Sequence, residues 1–166
     1  MKRPSNITLS TAKKAWWVLP SFKYLMLCGT AYAHSQSTVD RFNKNSTNND
    51  RVHETIHVRQ AQSTSDSWIL FYIQYIWNWI KGLPLVFVNI KAPYKFHPME
   101  VEAYGRQDSP SYIDHGACTA WRAVRDLPMS TKRSLAKEYY NGICEENGKR
   151  WTDLPFSDFI NSHFSF

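Results

Sequence analysis

The sequence predicts a mainly α-helical fold in a single domain over residues 1–166. Of these residues, 43% are apolar and 20% are charged. That composition supplies enough apolar material for a packed core and too little charge for a disordered chain. Apolar side chains recur at helical spacing in several segments, whereas the alternation typical of strands is scarce. We therefore expect helices packed on one another, with little strand.

The N-terminal region is basic. Residues 1–60 hold nine basic and three acidic side chains, so the net charge of +6 arises here. The apolar stretch over residues 15–33 resembles a secretory signal, but Pro20 and Lys23 interrupt it. We expect a core strand or helix with a basic lead. Residues 35–50 are polar with almost no apolar anchor and are expected to form a loop that closes this region.

Two helices are expected next. The first covers about Arg51 to Gln62, with no Gly or Pro inside it. The second covers residues 68–80, thirteen residues that are apolar all round apart from Gln74 and Asn78. About twenty apolar residues are needed to cross a membrane, so we expect a helix enclosed by protein and lying against the first. A re-entrant membrane hairpin over residues 68–90 is the alternative.

The boundaries of the remaining elements are predicted from proline and glycine residues that start and end helices. The stretch up to Pro98 is expected to be strand-like or irregular, and Pro98 then opens a short helix that Gly105 closes. A further helix is expected from Ser130 to the stop at Gly148. The last segment, residues 153–166, is rich in Phe and is expected to pack back onto the body or onto a partner. We divide the chain into residues 1–50, a core over 51–115 and a helical extension over 116–166.

The cysteine pattern indicates neither a disulfide framework nor a thiolate zinc knuckle, and the charge pattern disfavours a nucleic-acid-binding protein. Cys28, Cys118 and Cys144 cannot all pair within one chain and form no CxxC, so we expect inert thiols. The dispersed basic residues of the N-terminus match no nucleic-acid motif, so no nucleic-acid partner is expected. The seven Trp residues are more than a small core hides easily, which favours an aromatic surface for protein partners.

The motif HETIH carries the main chemical signal. His53 and His57 are four residues apart, so on a helix both imidazoles lie on one face and can bind one metal ion. Glu54 lies beside them and can take a proton from a water molecule. Such a site needs a third protein ligand and an open position for water.

A third ligand is available in the segment PMEVEAY. Glu100 and Glu102 point about 200° apart on a helix, so only one of them can reach the metal. Glu102 can pair with Arg106 on the surface, which makes Glu100 the better ligand. Glu102 and His97 stay open as alternatives for the third position.

A hydrolytic site also needs a donor for the oxyanion, and spacing alone does not select it. His97, Tyr104, Tyr112 and His115 all lie near the second motif and are the candidates.

HETIHVRQ, an aromatic helix and then PMEVEAY together resemble a family of small uncharacterised HExxH proteins of gut bacteria and their phages. More loosely, the same pattern is similar to gluzincin-type zinc metallopeptidases. The resemblance covers about residues 16–115. The resemblance implies a zincin-like helical domain that binds Zn²⁺ through His53, His57 and Glu100, with Glu54 as general base. Tyr104 stands where the gluzincins place an Asp that orients a ligand histidine.

Two functions remain open. The first is zinc-dependent hydrolysis of peptide bonds in a peptide or protein substrate. The second is a non-catalytic structural or assembly subunit, such as a phage virion component, with protein partners in that assembly. We expect a cytoplasmic protein, or a virion protein if the chain is phage-encoded, in preference to a secreted one. A membrane partner is the less favoured alternative and stays open.

Overall fold

The computed structural model describes residues 2–19, 23–114, 116 and 118–165. The fold of these residues is mainly helical, as predicted. The chain divides into two compact units, Met1–Phe71 with Arg106–Cys118, and Tyr72–Gly105 with Thr119–Phe166. The helices are α1 (Gln36–Lys44), α2 (Asn49–Ser63), α3 (Trp68–Gly82), α4 (Ala92–Lys95), α5 (Pro98–Arg106), α6 (Trp121–Asp126), α7 (Met129–Asn141) and α8 (Phe156–His163). The strands are β1 (Thr11–Lys14), β2 (Leu25–Leu27), β3 (Thr30–Ala33), β4 (Ile143–Cys144) and β5 (Lys149–Arg150).

A small mixed sheet forms one side of the first unit. Its strand order is β1-β3-β2, with β1 parallel and β2 antiparallel to the central strand β3. The strands turn small side chains inward, Ala12 from β1 and both Ala31 and Ala33 from β3, and these pack with Val39 and Phe42. Alanine allows a helix to approach a sheet closely. Within the apolar stretch over residues 15–33, β2 and β3 are strands, one of the two structures that the sequence left open.

Helix α1 was not predicted, and the expectation of a loop over residues 35–50 is wrong. The Ser35 side chain caps the helix by accepting a hydrogen bond from the backbone N–H of Thr38. Val39 and Phe42, three residues apart, are both buried. Two apolar anchors at helical spacing and one cap are therefore sufficient here, because the sheet provides the surface on which they pack.

Helix α2 confirms the predicted helix over residues 51–62 and extends it at both ends. Asn48 caps it by accepting a hydrogen bond from the backbone N–H of Asp50, whose carboxylate also lies in the first turn. Thr55 is fully buried, and its hydroxyl oxygen accepts a hydrogen bond from the backbone N–H of Ser10. The helix is thereby attached to the N-terminal segment within the first unit.

Helix α3 confirms the predicted helix over residues 68–80, but the expectation that protein encloses it all round is wrong. Trp68 and Phe71 are buried, whereas Ile73 and Ile76 are 58% and 57% exposed. None of the helices in the described part of the chain is long and apolar enough to cross a membrane. The apolar residues of α3 are thus divided between the interior and the surface.

The predicted strand-like stretch before Pro98 is helical instead. A 3₁₀ helix covers Leu83–Phe87, and α4 follows it. Pro93 occupies one of the first two positions of α4, where its fixed φ suits a helix. Pro98 opens α5, as predicted, although α5 extends one residue beyond the expected closing position, Gly105.

The helix predicted from Ser130 to Gly148 is shorter in the structure, because α7 ends at Asn141. The backbone N–H of Gly142 donates to the carbonyl of Glu138, and a Cβ at position 142 would lie 2.4 Å from that oxygen. The chain then turns into the antiparallel pair β4–β5. Gly148, at φ +61, lies just before β5 and completes this turn.

Aromatic side chains build the core of the second unit. Phe159 is fully buried, with ring centroids 5.1 Å from Trp151, 5.2 Å from Tyr139 and 6.0 Å from Phe96. Most of these pairs meet edge to face, the geometry that aromatic quadrupoles favour. The Phe-rich C-terminal segment therefore packs back onto the body, as predicted.

The cysteines match their prediction as thiols. Cys118 and Cys144 are buried and Cys28 is half-buried. Burial removes the first two from solvent oxidants and leaves them as small apolar side chains.

Phe159→Ala is expected to lower the free energy of unfolding by about 3–5 kcal/mol, because it removes a large side chain and leaves a cavity among aromatic rings. Urea denaturation measures the change. Phe87→Ala is the matched control, since Phe87 is 87% exposed and its loss should change the stability by about 0.5 kcal/mol or less. Equal effects of the two substitutions would contradict this description of the core.

Candidate metal centre

Helix α2 places His53 and His57 side by side. The two residues are one turn apart, both are buried, and their ring centroids are separated by 5.0 Å at an interplanar angle of 82°. The ring of Phe71, itself 3% exposed, lies 6.4 Å from that of His57. The four-residue spacing of the motif therefore produces the shared face that the sequence predicted.

Each of these imidazoles is bonded to the side chain of a glutamine. The Nδ1–H of His57 donates to Oε1 of Gln60 at 2.8 Å, and that of His53 donates to Oε1 of Gln107 at 3.2 Å. An amide oxygen only accepts, so it fixes the proton on Nδ1 and places the lone pair of each ring on Nε2. This is the tautomer that a histidine needs to bind a metal through Nε2.

Glu54 lies on α2 directly after His53. Its side chain is half-buried, whereas both histidines are buried. The side chain as a whole thus keeps some contact with solvent, although Oε2 of its carboxylate is buried.

Glu100 lies in the first turn of α5 and is 3% exposed. The hydroxyl of Tyr75, on α3, donates to its Oε1 at 2.8 Å. This bond stabilises the carboxylate and restricts its rotation, so one oxygen has a fixed direction. A buried, oriented carboxylate of this kind is a suitable ligand for a divalent ion.

The structure groups the three ligands that the sequence selected. His53, His57 and Glu100 each offer one ligand atom, and these atoms all lie within 4.8 Å of one another. Two nitrogens and one oxygen bound to a single zinc ion at about 2.0–2.2 Å are separated by distances below that bound. The group could thus hold a metal ion.

The two alternative third ligands are occupied elsewhere. Glu102 is fully buried, so the expected position on the surface is wrong, and its Oε1 accepts a hydrogen bond from the backbone N–H of Ala120. Nε2 of His97 donates to the backbone carbonyl of Tyr75, and the two rings stack with centroids 4.0 Å apart. Neither residue belongs to the ligand group formed by the described residues.

The candidate oxyanion donors have structural surroundings of their own. The ring of Tyr104 packs edge to face on Phe156 at 5.3 Å, within the aromatic core of the second unit. The guanidinium of Arg106 lies 5.3 Å from the centroid of the Tyr112 ring. His115 lies outside the described residues. Their expected role as donors gains no support from these contacts.

Sequence reasoning missed three residues of the site, Gln60, Gln107 and Tyr75. Gln60 carried a usable signal, because it follows His57 by three residues and therefore lies on the same face of α2. Gln107 and Tyr75 carried none, since each is more than twenty residues away in sequence from the residue it holds.

Comparison with known proteins provides no relative. The chain matches no model of a protein family, no curated protein and no solved structure.

Gln60→Ala is expected to shift the neutral imidazole of His57 away from the Nδ1–H tautomer, because the amide oxygen that binds this proton is lost. Long-range ¹H–¹⁵N correlation spectra distinguish the two tautomers directly. Gln36→Ala is the control, since Gln36 is exposed on α1 and bonds to Asp40. An unchanged His57 spectrum in Gln60→Ala would contradict the orienting role of this glutamine.

Proposed function

We propose that this chain is a zinc-dependent metallopeptidase-like protein with a zincin-like site, which hydrolyses peptide bonds with Glu54 as the general base. One observation carries the proposal, the grouping of one ligand atom from each of His53, His57 and Glu100 within 4.8 Å. The HExxH spacing on α2 supports it, because the same helix supplies a carboxylate next to the two imidazoles.

The residues of the group fit zinc by their chemistry. Two imidazoles and one carboxylate form a ligand set typical of catalytic zinc sites, which leaves a fourth position for water. Imidazole ligands favour Zn²⁺ over Mg²⁺ and Ca²⁺, which prefer oxygen ligands. The glutamine bonds at Nδ1 support the same conclusion, since they hold His53 and His57 in the tautomer that binds through Nε2.

The chain's own residues then divide the work. A bound zinc ion would lower the pKa of water and polarise the scissile carbonyl. Glu54 accepts the proton of the attacking water on a carboxylate oxygen and later delivers it to the nitrogen of the leaving amine. Tyr75 keeps Glu100 oriented through its hydroxyl group, and the apolar ring of Phe71 beside His57 excludes water from that side.

Two substitutions of one kind separate binding from catalysis. Glu100→Gln should lower zinc affinity by about tenfold or more, because a neutral amide is a weaker ligand than a carboxylate. Glu54→Gln should retain one zinc ion per chain and lower kcat by about 10²–10⁴-fold, because the amide cannot accept the proton. Zinc content is measured by elemental mass spectrometry and turnover with a library of fluorescence-quenched peptides.

Glu145→Gln is the control, since Glu145 is exposed in the turn between β4 and β5. It should match the wild type in zinc content and in turnover. Equal turnover in Glu54→Gln and the wild type would contradict the proposed base, and an absence of zinc from the wild type would contradict the metal centre. Zinc binding without turnover of any peptide would favour the non-catalytic alternative.

A further inference from the structure

An apolar patch covers the outer face of α3 and the segment that follows it. Within the second unit it comprises six side chains that are 45–87% exposed: Ile73, Ile76, Trp77, Ile80, Phe87 and Ile90. Four of them recur at helical spacing on α3, and monomeric proteins in water rarely expose a contiguous apolar stripe without a use for it.

The polarity of α3 is inverted relative to a helix that faces water. Asn78 is 5% exposed, whereas Trp77 beside it is 59% exposed. On an amphipathic helix in water the polar residues face out and the apolar stripe faces the core. Here the apolar residues at positions 73, 76, 77 and 80 form the outer stripe, so the medium that suits this face is apolar.

The charged residues of the segment that carries the patch are all basic. Residues 67–99 contain three lysines and no acidic residue. Lys81 and Lys91 are exposed, and the ammonium of Lys81 lies 5.8 Å from the centroid of the Trp77 ring. Lysine next to an interfacial aromatic ring can keep its charge in water while its stem covers apolar surface.

A second cationic group lies near the end of α3. This group is Lys132, which lies close enough to Lys81 for the two charges to interact. Burial lowers the pKa of Lys132, and the positive charge of Lys81 lowers it further. The neighbouring carboxylate of Asp126 accepts two hydrogen bonds from Arg125. The basic side chains here are Lys81, Lys132 and Arg125, and the acidic one is Asp126. The net charge at this rim of the patch is therefore positive and attracts anions.

These charges distinguish between the candidate occupants. A second copy of the chain would bring its own lysines against the same rim, and like charges oppose that pairing. An anionic lipid surface offers both an apolar layer for the side chains and negative headgroups for the lysines. The fifteen residues of α3 extend about 22 Å, which is too short to cross the hydrocarbon layer of about 30 Å. A helix with an outward apolar face can instead lie in the plane of the membrane surface.

We propose that the apolar patch of the second unit docks on the surface of an anionic lipid bilayer, with α3 in the plane of the interface. Trp77, Phe87 and Ile90 enter the boundary between headgroups and acyl chains, and Lys81 and Lys91 contact the phosphates.

Sedimentation of the full chain with lipid vesicles tests the proposal. The probes are vesicles of pure phosphatidylcholine and vesicles in which about a third of the lipid is phosphatidylglycerol, whose negative headgroups attract lysines near the surface. The wild type should bind the anionic vesicles at least about tenfold more tightly than the neutral ones, and high salt should reduce this difference.

A matched pair of double variants tests the apolar contribution. Ile73→Ser with Phe87→Ser should weaken binding to the anionic vesicles by about tenfold or more. The control is Ile143→Ser with Trp16→Ser, since these residues are 63% and 85% exposed outside the patch and resemble the first pair in size and exposure. All four positions are exposed, so both variants should fold, which circular dichroism checks.

A second pair tests the charge. Lys81→Glu with Lys91→Glu should weaken binding to anionic vesicles by about tenfold or more and leave the weak binding to neutral vesicles unchanged. The control is Lys137→Glu with Lys149→Glu, which changes the net charge by the same amount at exposed positions elsewhere.

Three outcomes would overturn the proposal. The first is a wild type that stays in solution with both kinds of vesicle. The second is equal loss of binding in the patch variants and their controls. The third is a wild type that does not bind the vesicles and forms a dimer in analytical ultracentrifugation. If Ile73→Ser with Phe87→Ser dissociated that dimer, the patch would be assigned to a second copy of the chain.

Discussion

Two buried imidazoles on one face of α2 are tolerated because each Nδ1–H has an amide oxygen as its partner. A buried polar group left without a partner would cost about 1–3 kcal/mol. Gln60 satisfies His57 from the next turn of the helix, and Gln107 satisfies His53 from a distant segment. The same bonds that stabilise the buried rings also hold the proton on Nδ1, so Nε2 is the nitrogen that can act as a ligand.

The constraint extends along the whole of α2. Within the first unit, Arg59 donates to the backbone carbonyl of Ile113, and the Ser63 hydroxyl donates to that of Cys118. With Gln107, these contacts follow the helix from its HExxH motif to its last residue. The segment after α5 is therefore held along α2 by polar bonds, and a change in that segment acts on the orientation of His53.

The sequence could predict whatever depends on local spacing. The helix around HETIH and the start of α5 at Pro98 follow from periodicity and from proline geometry, and rotation along a helix was sufficient to prefer Glu100 over Glu102. The partners of these residues could not be predicted, because Gln107 and Tyr75 reach the site only through tertiary structure. The zincin-like fold and the zinc ion stay predictions.

The errors have physical causes of the same kind. The sheet stabilises α1, whose own apolar signal consists of only two anchors, and such context is invisible in a single sequence. Apolar character predicted that α3 is a helix but could not reveal which side the protein covers. Hydrophobicity measures a preference for leaving water and does not specify the medium that replaces it.

The outward apolar face of α3 also changes the thermodynamics of the folded chain. Apolar surface that is already hydrated in the native state adds nothing to the heat capacity increment of unfolding, which each newly exposed apolar Å² raises by about 0.45 cal/mol/K. For the same reason this face gives folding no hydrophobic stabilisation of its own. The free energy of burying this apolar surface is therefore gained only when something other than water covers Ile73, Trp77 and Phe87.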